Sequence, residues 1–301
     1  MIAALPTESV IEVRDVARRF GATTALDQVS LTVPRGVVFG LVGADGAGKT
    51  TLIKHVLGLF KAQSGTVRVL GMDPVADPPG VLSRIGYLSE ENDLPGWMRV
   101  HELLRYTRSF YAAWDQVYAE KLRQQFGLDS ASRIKDLSKG HRARAGLLIA
   151  LAHRPELLIL DEPSSGLDPI ARRDILGTII RTVADEGRTV LFSSHLLDEV
   201  ERVSDHVAMM YQGRIFHCGL LDDIKATHHR VTLRFPEPQA CLPSLAGVLA
   251  SEGSEREWTA VCSGALDELQ VAAAAVGAEI VERQVPTLDE IFLAEVAAKK
   301  S

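Results

Sequence analysis

Residues 137–169 read LSKGHRARAGLLIALAHRPELLILDEPSSGLDP and contain three features in a fixed order. A Ser-x-Gly turn at Ser138–Gly140 opens a segment typical of a helix. The aliphatic run Leu157–Leu160 then predicts a buried strand, which ends at an Asp-Glu pair. A Ser-Gly-Leu-Asp turn follows at Ser165–Asp168. Because ligands bind at the carboxyl ends of strands in open α/β sheets, this order predicts a polar site beyond the strand.

A glycine-rich turn upstream predicts a phosphate-binding loop. Residues 43–50 read GADGAGKT and fit the pattern GxxxxGK(S/T), between the apolar run Val37–Val42 and an aliphatic helix. The backbone N–H groups and the helix dipole of such a loop favour phosphate, and a chance glycine turn is the less favoured alternative. Lys49 is expected to reach the β- and γ-phosphates, and the Thr50 hydroxyl to ligate Mg²⁺. The predicted phosphate-binding residues are Gly43, Ala44, Asp45, Gly46, Ala47, Gly48, Lys49, Thr50 and Thr51.

The acidic pair Asp161-Glu162 adds the chemistry of hydrolysis. An aspartate at a strand end can hold Mg²⁺, directly or through water. Glu162 can polarise an attacking water molecule. The alternative is a solvated pair at a strand end, which the aliphatic strand and the upstream phosphate loop disfavour. Together, the loop and the pair predict an ATPase that uses Mg²⁺.

The Ser-x-Gly turn predicts a second anion site. A serine hydroxyl and free N–H groups at a helix N-terminus bind anions, although an ordinary helix cap is the alternative. Since Gly43–Thr50 would already hold the phosphates, a second site is useful if it binds the γ-phosphate held by another copy of the chain.

Taken together, these motifs resemble the nucleotide-binding subunit of ATP-binding cassette (ABC) transporters over residues 10–225. The segments that carry the resemblance are Gly43–Thr50, Leu137–His141, Leu157–Glu162, Ser165–Asp168 and His195. The resemblance implies that two subunits pair head-to-tail and hold two ATP molecules between them. Each ATP would lie between the phosphate loop of one subunit and the Ser138–Gly140 helix of the other.

The resemblance also implies roles for single residues. Glu162 would be the catalytic base, and His195 would contact the γ-phosphate. Asp168 would cross the dimer interface. Phe20 matches the aromatic residue that stacks on adenine, although a place in the core is nearly as well supported by its half-buried strand.

Three positions depart from the family pattern. The signature segment, which would contact the ATP of the partner subunit, consists of Ser138, Lys139, Gly140 and His141. Here Lys139 stands in place of the usual second glycine and His141 in place of glutamine, yet we expect the helix cap to form. Glu90 stands in place of a glutamine that would ligate Mg²⁺ together with Thr50 and Asp161. A carboxylate can take that role, but it adds negative charge near the triphosphate.

The patterns predict an α/β fold class. Residues 1–226 would form a P-loop NTPase of the ABC cassette type, with a parallel core sheet, an N-terminal antiparallel β subdomain and a helical subdomain at about 90–155. Residues 99–126 look helical, with Tyr106, Phe110 and Trp114 on one face, most simply as core. Residues 227–301 would form a small C-terminal α+β accessory domain. Its predicted elements are strands at 231–235, 257–262 and 279–285, and helices at 242–250, 265–276 and 288–297.

Composition limits the partners. The formal net charge of −6 argues mildly against nucleic acid as the main partner. Cys218, Cys241 and Cys262 are far apart, which favours free thiols in a reducing cytoplasm. No apolar run reaches the roughly 18–20 residues that span a bilayer. We therefore expect a cytoplasmic protein, bound peripherally to the cytoplasmic face of the membrane.

Two functions stay open on the sequence. The segment VPTLDEIFLAEV at 285–296 resembles the tail of the exporter branch for drugs, antibiotics, polysaccharides or lipids, whose ATPase and membrane subunits are separate chains. This favours a homodimeric transport ATPase that drives a separate integral membrane permease in the direction of export. The alternative is a soluble ABC-type ATPase that acts on nucleic acid or the ribosome.

Overall fold

The computed structural model describes residues 8–184 and 187–299, and contacts divide the chain into two units. The first unit ends at Cys218 and the second begins at Gly219. The sequence places a boundary later, near 226, so the short segment 219–226 groups with the second unit. Within the described ranges, no helix combines the length and the apolar character that crossing a bilayer requires.

A largely parallel sheet forms the centre of the first unit. The strands that begin in this unit are β1 (Ser9–Phe20), β2 (Thr23–Pro34), β3 (Val38–Val42), β4 (Ser64–Val69), β5 (Ile85–Leu88), β6 (Leu157–Asp161), β7 (Thr189–Ser194), β8 (His206–Tyr211) and β9 (Arg214–Leu220). The central sheet has the order β5-β6-β7-β3-β8-β9, and its pairs from β5 to β8 are parallel. Every residue of β3, β6 and β7 is buried, which explains their continuous apolar sequences.

A second sheet of the first unit is antiparallel and has the order β2-β1-β4. Val13 on β1 and Val29 on β2 face the core of this unit, while Glu12 and Gln28 stay outside it. This alternation is typical of a strand that is covered on one face. The predicted N-terminal antiparallel subdomain is therefore confirmed.

Helices cover the central sheet and form a separate group between β5 and β6. The helices of the first unit are α1 (Lys49–Val56), α2 (Pro78–Leu82), α3 (Val100–Arg108), α4 (Gln116–Gln125), α5 (Lys139–Leu151), α6 (Pro169–Ala184) and α7 (Leu197–Val203). Helices α3, α4 and α5 lie within the segment predicted to be helical at about 90–155. Helix α1 follows β3 through the glycine loop, and α7 follows β7.

The prediction of one helical face for Tyr106, Phe110 and Trp114 is wrong. Helix α3 ends at Arg108, and α4 begins only after Asp115, whose carboxylate accepts the Tyr118 N–H at 2.8 Å. This cap starts a new helix because it satisfies a donor that the helix itself leaves free. Tyr106 and Phe110 are 52% and 64% exposed, so the proposed core role fails as well.

The second unit contains an antiparallel sheet of order β11-β10-β12. Its elements are α8 (Leu221–Ala226), β10 (His228–Gln239), β11 (Val248–Ser263), α9 (Leu266–Ala275), β12 (Glu279–Gln284) and α10 (Leu288–Ala298). Val231, Leu233 and Phe235 of β10 pack with Cys262 and Leu269 in the core of this unit. The mixed α and β composition agrees with the predicted fold class.

The predicted helix at 242–250 is wrong, because Val248 already begins β11. Leu242, Leu245 and Val248 have helical spacing, but they pack on the core from a turn and a strand. Gly247 ends the turn with φ +84°, and a Cβ there would lie 2.5 Å from the Ser263 carbonyl oxygen. A glycine in this conformation interrupts a helix that the apolar spacing alone would allow.

Candidate functional site

The glycine loop between β3 and α1 has the conformation that its sequence predicts. Gly46 and Gly48 have φ values of +76° and +109°, a region that other residues rarely adopt. A Cβ at Gly43 would lie 2.4 Å from the Met210 carbonyl oxygen, and one at Gly48 would lie 2.4 Å from that of Ala25. The loop is therefore a backbone cradle at a helix N-terminus, which suits phosphate.

Lys49 lies inside this loop and is only 6% exposed. Its Nζ donates a hydrogen bond to the Gly43 carbonyl oxygen at 2.6 Å and lies 3.0 Å from Glu162 Oε1. A buried ammonium requires such compensation, because it has lost its contact with water. The structure thus brings together the predicted phosphate-binding lysine and the predicted catalytic base.

Asp161 lies at the end of β6 and contacts two hydroxyl groups. Thr50 Oγ1 and Ser193 Oγ both donate to Asp161 Oδ1, at 3.2 and 2.7 Å. Burial raises the pKa of the Asp161 carboxyl group, and the two hydrogen bonds oppose that rise. A hydroxyl and a carboxylate side by side are hard oxygen donors, which is the ligand chemistry that Mg²⁺ prefers. Ser193 was not among the predicted site residues, and the one signal for it in the sequence is its place at a strand end before His195.

Glu162 is held by contacts from β7 and from the loop that follows it. Its Oε2 lies 2.7 Å from His195 Nδ1 and accepts the His195 backbone N–H at 3.2 Å. The Glu162 N–H donates to Ser193 Oγ at 3.0 Å. Glu162 has φ +48°, a left-handed conformation that costs a non-glycine residue about 1–3 kcal/mol. These contacts keep the carboxylate beside both Lys49 and His195.

The phosphate loop opens onto a cleft that also contains Glu90. The cleft is lined by Thr23–Ala25, Asp45–Thr51, Glu90 and Glu162. Glu90 and Lys139, two of the departures from the family pattern, also line a second cavity together with Glu162. Glu90 is thus placed where its charge acts on the phosphate site.

Phe20 does not line the phosphate cleft. Its ring packs edge-to-face on Phe60, with 5.6 Å between the ring centroids, and the Arg18 guanidinium lies 4.7 Å from its centroid. Phe20 is 43% exposed, so it is not a core residue either. The stacking of Phe20 on adenine stays a prediction.

The signature segment forms the helix cap that we expected. Ser138 Oγ accepts the His141 N–H at 3.2 Å and lies 2.8 Å from His141 Nδ1. Gly140 is packed against α6, where an added Cβ would lie 2.9 Å from that of Ala171. The Lys139 ammonium turns towards Gly166, so the lysine leaves the cap intact.

Asp168 caps α6, the helix against which Gly140 of the signature segment packs. Its Oδ1 accepts the N–H groups of Ile170 and Ala171 at 2.9 and 3.0 Å, which lowers the pKa of this carboxyl group. Ser138 and Asp168 are absent from the lining of the phosphate cleft. Within one chain, Ser138 therefore lies outside the phosphate cleft, while Lys139 lines a neighbouring cavity with Glu90 and Glu162, which line both.

Comparison with known proteins gives the family. Residues 26–165 match the family described as ABC transporter. The chain is 36% identical over 230 residues to the probable multidrug ABC transporter ATP-binding protein YbhF of Escherichia coli (strain K12), covering 75% of this chain and 39% of that protein. It is 34% identical over 210 residues to the bacitracin transport ATP-binding protein BcrA of Enterococcus faecalis, covering 69% and 68%.

The similarity extends into the second unit in another relative. The uncharacterized ABC transporter ATP-binding protein YhaQ of Bacillus subtilis (strain 168) is 30% identical over 308 residues, covering 96% of this chain and 99% of YhaQ. By contrast, the chain spans only 39% of the length of YbhF. A solved structure entitled "Structure of ATP binding subunit of ABC transporter" has 31% identity and a TM-score of 0.66, covering 72% of this chain and 92% of that one. The cassette fold is confirmed, and the chain belongs to the ATP-binding proteins of ABC transporters.

Proposed function

We propose that this chain binds and hydrolyses ATP, and that ATP-driven pairing of two copies powers a separate integral membrane permease. The contact between Lys49 and Glu162 carries the proposal, because it joins a phosphate-binding cation to a proton acceptor at a glycine cradle. His195 holds the other oxygen of Glu162. This set of residues suits the transfer of a phosphoryl group to water.

The residues of the chain have separate tasks in this reaction. Lys49 leaves Glu162 and pairs with the β- and γ-phosphates when ATP enters the loop. The released Oε1 of Glu162 can then accept a proton from the attacking water, while His195 keeps the carboxylate oriented. Phe20 offers an exposed ring on which adenine can stack.

The oxygen donors near the phosphate loop suit Mg²⁺. Thr50, Asp161 and Glu90 would hold the ion. The contact of the Thr50 hydroxyl with the Asp161 carboxylate and the place of Glu90 in the same cleft support this set. When bound, Mg²⁺ would neutralise negative charge on the phosphates.

The second half of each site would come from the partner copy. Ser138 and Lys139 are exposed at the start of a 13-residue helix, so the Ser138 hydroxyl and this helix N-terminus can meet an anion from outside the chain, while the His141 N–H bonds to Ser138 Oγ. Asp168 lies on the neighbouring turn and would meet the other subunit. This arrangement supports a head-to-tail homodimer with two ATP molecules.

The membrane partner would dock on the helical segment. Trp97 and Phe110 are 72% and 64% exposed, and large exposed apolar side chains of this kind favour contact with a protein partner. The names of YbhF and BcrA, which mention multidrug and bacitracin transport, support export of a drug or an antibiotic. The chain would then act on the cytoplasmic face of the membrane, with residues 227–301 as an accessory domain.

Capture from membranes tests this function against action on nucleic acid or the ribosome. The tagged chain, purified from detergent-solubilised membranes, is expected to bring down a polytopic membrane protein. Trp97→Ala combined with Phe110→Ala should weaken this capture, whereas Val271→Ala, which changes an exposed residue of the second unit, should not. Recovery of ribosomes or DNA without a membrane protein would overturn the proposal.

Replacement of Glu90 tests the negative charge at the cleft. Glu90→Gln removes one charge near the triphosphate while it keeps an oxygen ligand, so we expect a lower KM for ATP, by about three- to tenfold, from the loss of charge repulsion. Steady-state ATPase assays at several Mg²⁺ concentrations measure the change, with Glu268→Gln in α9 as a control. An unchanged KM and unchanged transport would mean that Glu90 has no special part in the site.

A further inference from the structure

Glu199 is a buried carboxylate that the proposed reaction does not use. It lies on α7 and is only 1% exposed. Its Oε2 accepts a hydrogen bond from Ser164 Oγ, and its Oε1 lies 3.0 Å from Arg172 Nε. Each oxygen of Glu199 therefore has a partner on a different segment of the chain.

The partners of Glu199 lie next to the residues of the candidate site. Ser164 comes two residues after Glu162 and directly before the turn that ends at Asp168. The Arg172 N–H donates to the Asp168 carbonyl oxygen at 3.0 Å, in the first turn of α6. Glu199 itself comes four residues after His195. One carboxylate thus connects three segments, which carry the candidate base, the interface aspartate and the γ-phosphate-binding histidine.

The cost of burying this charge indicates a role in positioning. Removing a carboxylate from water is unfavourable, and burial raises the pKa of Glu199 while Ser164 and Arg172 oppose that rise. Packed apolar side chains often stabilise a protein as well as a buried ion pair does. What the ion pair adds is a fixed geometry, because both of its partners must occupy defined positions.

We propose that Glu199 is a positioning residue, which fixes the turn Ser165–Asp168 relative to His195 through Ser164 and Arg172. This inference rests on the proposed function. Because that turn faces the partner subunit in the proposed dimer, its displacement is passed through Ser164 and Glu199 to the loop that carries His195. The contact therefore links the approach of the partner subunit to the position of His195 beside Glu162.

Substitutions at Ser164 and Glu199 test this link. Ser164→Ala removes the hydrogen bond, and Glu199→Gln removes the charge that pairs with Arg172, whereas Ser164→Thr keeps the hydroxyl. We expect kcat for ATP to fall about ten- to a hundredfold in the first two variants. The pairing of two copies should raise the Hill coefficient for ATP above one in the wild type, and we expect it to fall to one in these variants. Ser164→Thr should restore both. Asp198→Asn, which changes the exposed neighbour of Glu199, should behave as wild type.

Three further measurements separate positioning from stability. The Kd of a fluorescent ATP analogue for the monomer should be unchanged in all variants, because Glu199 does not line the phosphate cleft. The double variant Ser164→Ala/Glu199→Gln should lose less kcat than the product of the two single losses, since both substitutions disturb one network around Glu199. Thermal unfolding establishes whether each variant is folded at the assay temperature. If Glu199→Gln is unfolded there, the comparison of Ser164→Ala with Ser164→Thr decides the test.

Three outcomes would overturn the inference. Wild-type kcat and Hill coefficient in Ser164→Ala would show that the contact has no effect. If kcat falls as much in Ser164→Thr as in Ser164→Ala, the Ser164 hydroxyl is not the group that matters. If weaker binding of the ATP analogue to the monomer accounts for the fall in activity, the substitutions damage the nucleotide site in general. By contrast, failure of the wild-type chain to hydrolyse ATP would refute the proposed function itself.

Discussion

Lys49→Ala is expected to lower kcat for ATP hydrolysis by at least about a hundredfold, the size of effect seen when a preorganised donor is lost from a transition state. The Lys49 ammonium is buried in the glycine cradle, where water cannot replace it. In that environment its attraction for a phosphoryl group that gains charge is much stronger than it would be in water. The loss should therefore affect kcat more than the folding of the chain.

The substitution also leaves Glu162 without its cation. An uncompensated buried carboxylate is unfavourable, so Lys49→Ala should lower the thermal midpoint in the absence of nucleotide. Phosphate-release assays, run well below that midpoint, separate the loss of activity from unfolding. Lys61→Ala, at an exposed lysine beyond α1, is the control and should keep wild-type activity. Full activity in Lys49→Ala would mean that this loop is not the phosphate site.

Glu162→Gln should stop hydrolysis but strengthen ATP binding, with kcat reduced by at least about a hundredfold, as expected for a lost general base. The glutamine amide has nearly the same shape, yet it cannot accept the proton from water. It also no longer pairs with Lys49, so the ammonium is free to meet the phosphates without breaking an ion pair. ATP that is bound and not consumed should hold two copies together, visible as a dimer in gel filtration.

A second substitution sharpens the test of the paired site. Ser138→Glu in the Glu162→Gln background places a negative charge where the partner's γ-phosphate would lie. The start of α5 tolerates an acidic side chain because the helix dipole favours it, so the fold should survive. The double variant should bind ATP and stay a monomer. If Glu162→Gln alone binds ATP as a monomer, the head-to-tail sandwich is contradicted.

The local part of this architecture could be predicted from the sequence. The strands β3 and β6 are continuous apolar runs, and Gly43–Thr50 has a spacing that suits one backbone geometry. Both features can be predicted because each depends on a few residues that are neighbours in the sequence. The helix at 242–250 was predicted by the same kind of reasoning and failed, because one glycine turn outweighed a helical spacing of apolar side chains.

The contacts between distant segments could not be predicted in this way. Ser193 lies on β7 and bonds to Asp161 only because β6 and β7 are neighbours in the sheet. The meeting of Ser164 with Glu199 likewise depends on how α7 packs. Phe20 shows the same limit, since its cluster with Phe60 joins two segments that the sequence alone does not relate. Residue types indicated the chemistry, whereas the tertiary fold decided which side chains meet.

The left-handed backbone of Glu162 has a consequence for how this chain can evolve. Glycine would adopt φ +48° without strain, but it would leave the buried Lys49 ammonium without its carboxylate. An unpaired buried charge costs about 3–5 kcal/mol, whereas the backbone strain costs about 1–3 kcal/mol. Selection for stability alone should therefore keep glutamate at this position, and stabilised variants chosen without an activity screen are expected to retain both Lys49 and Glu162.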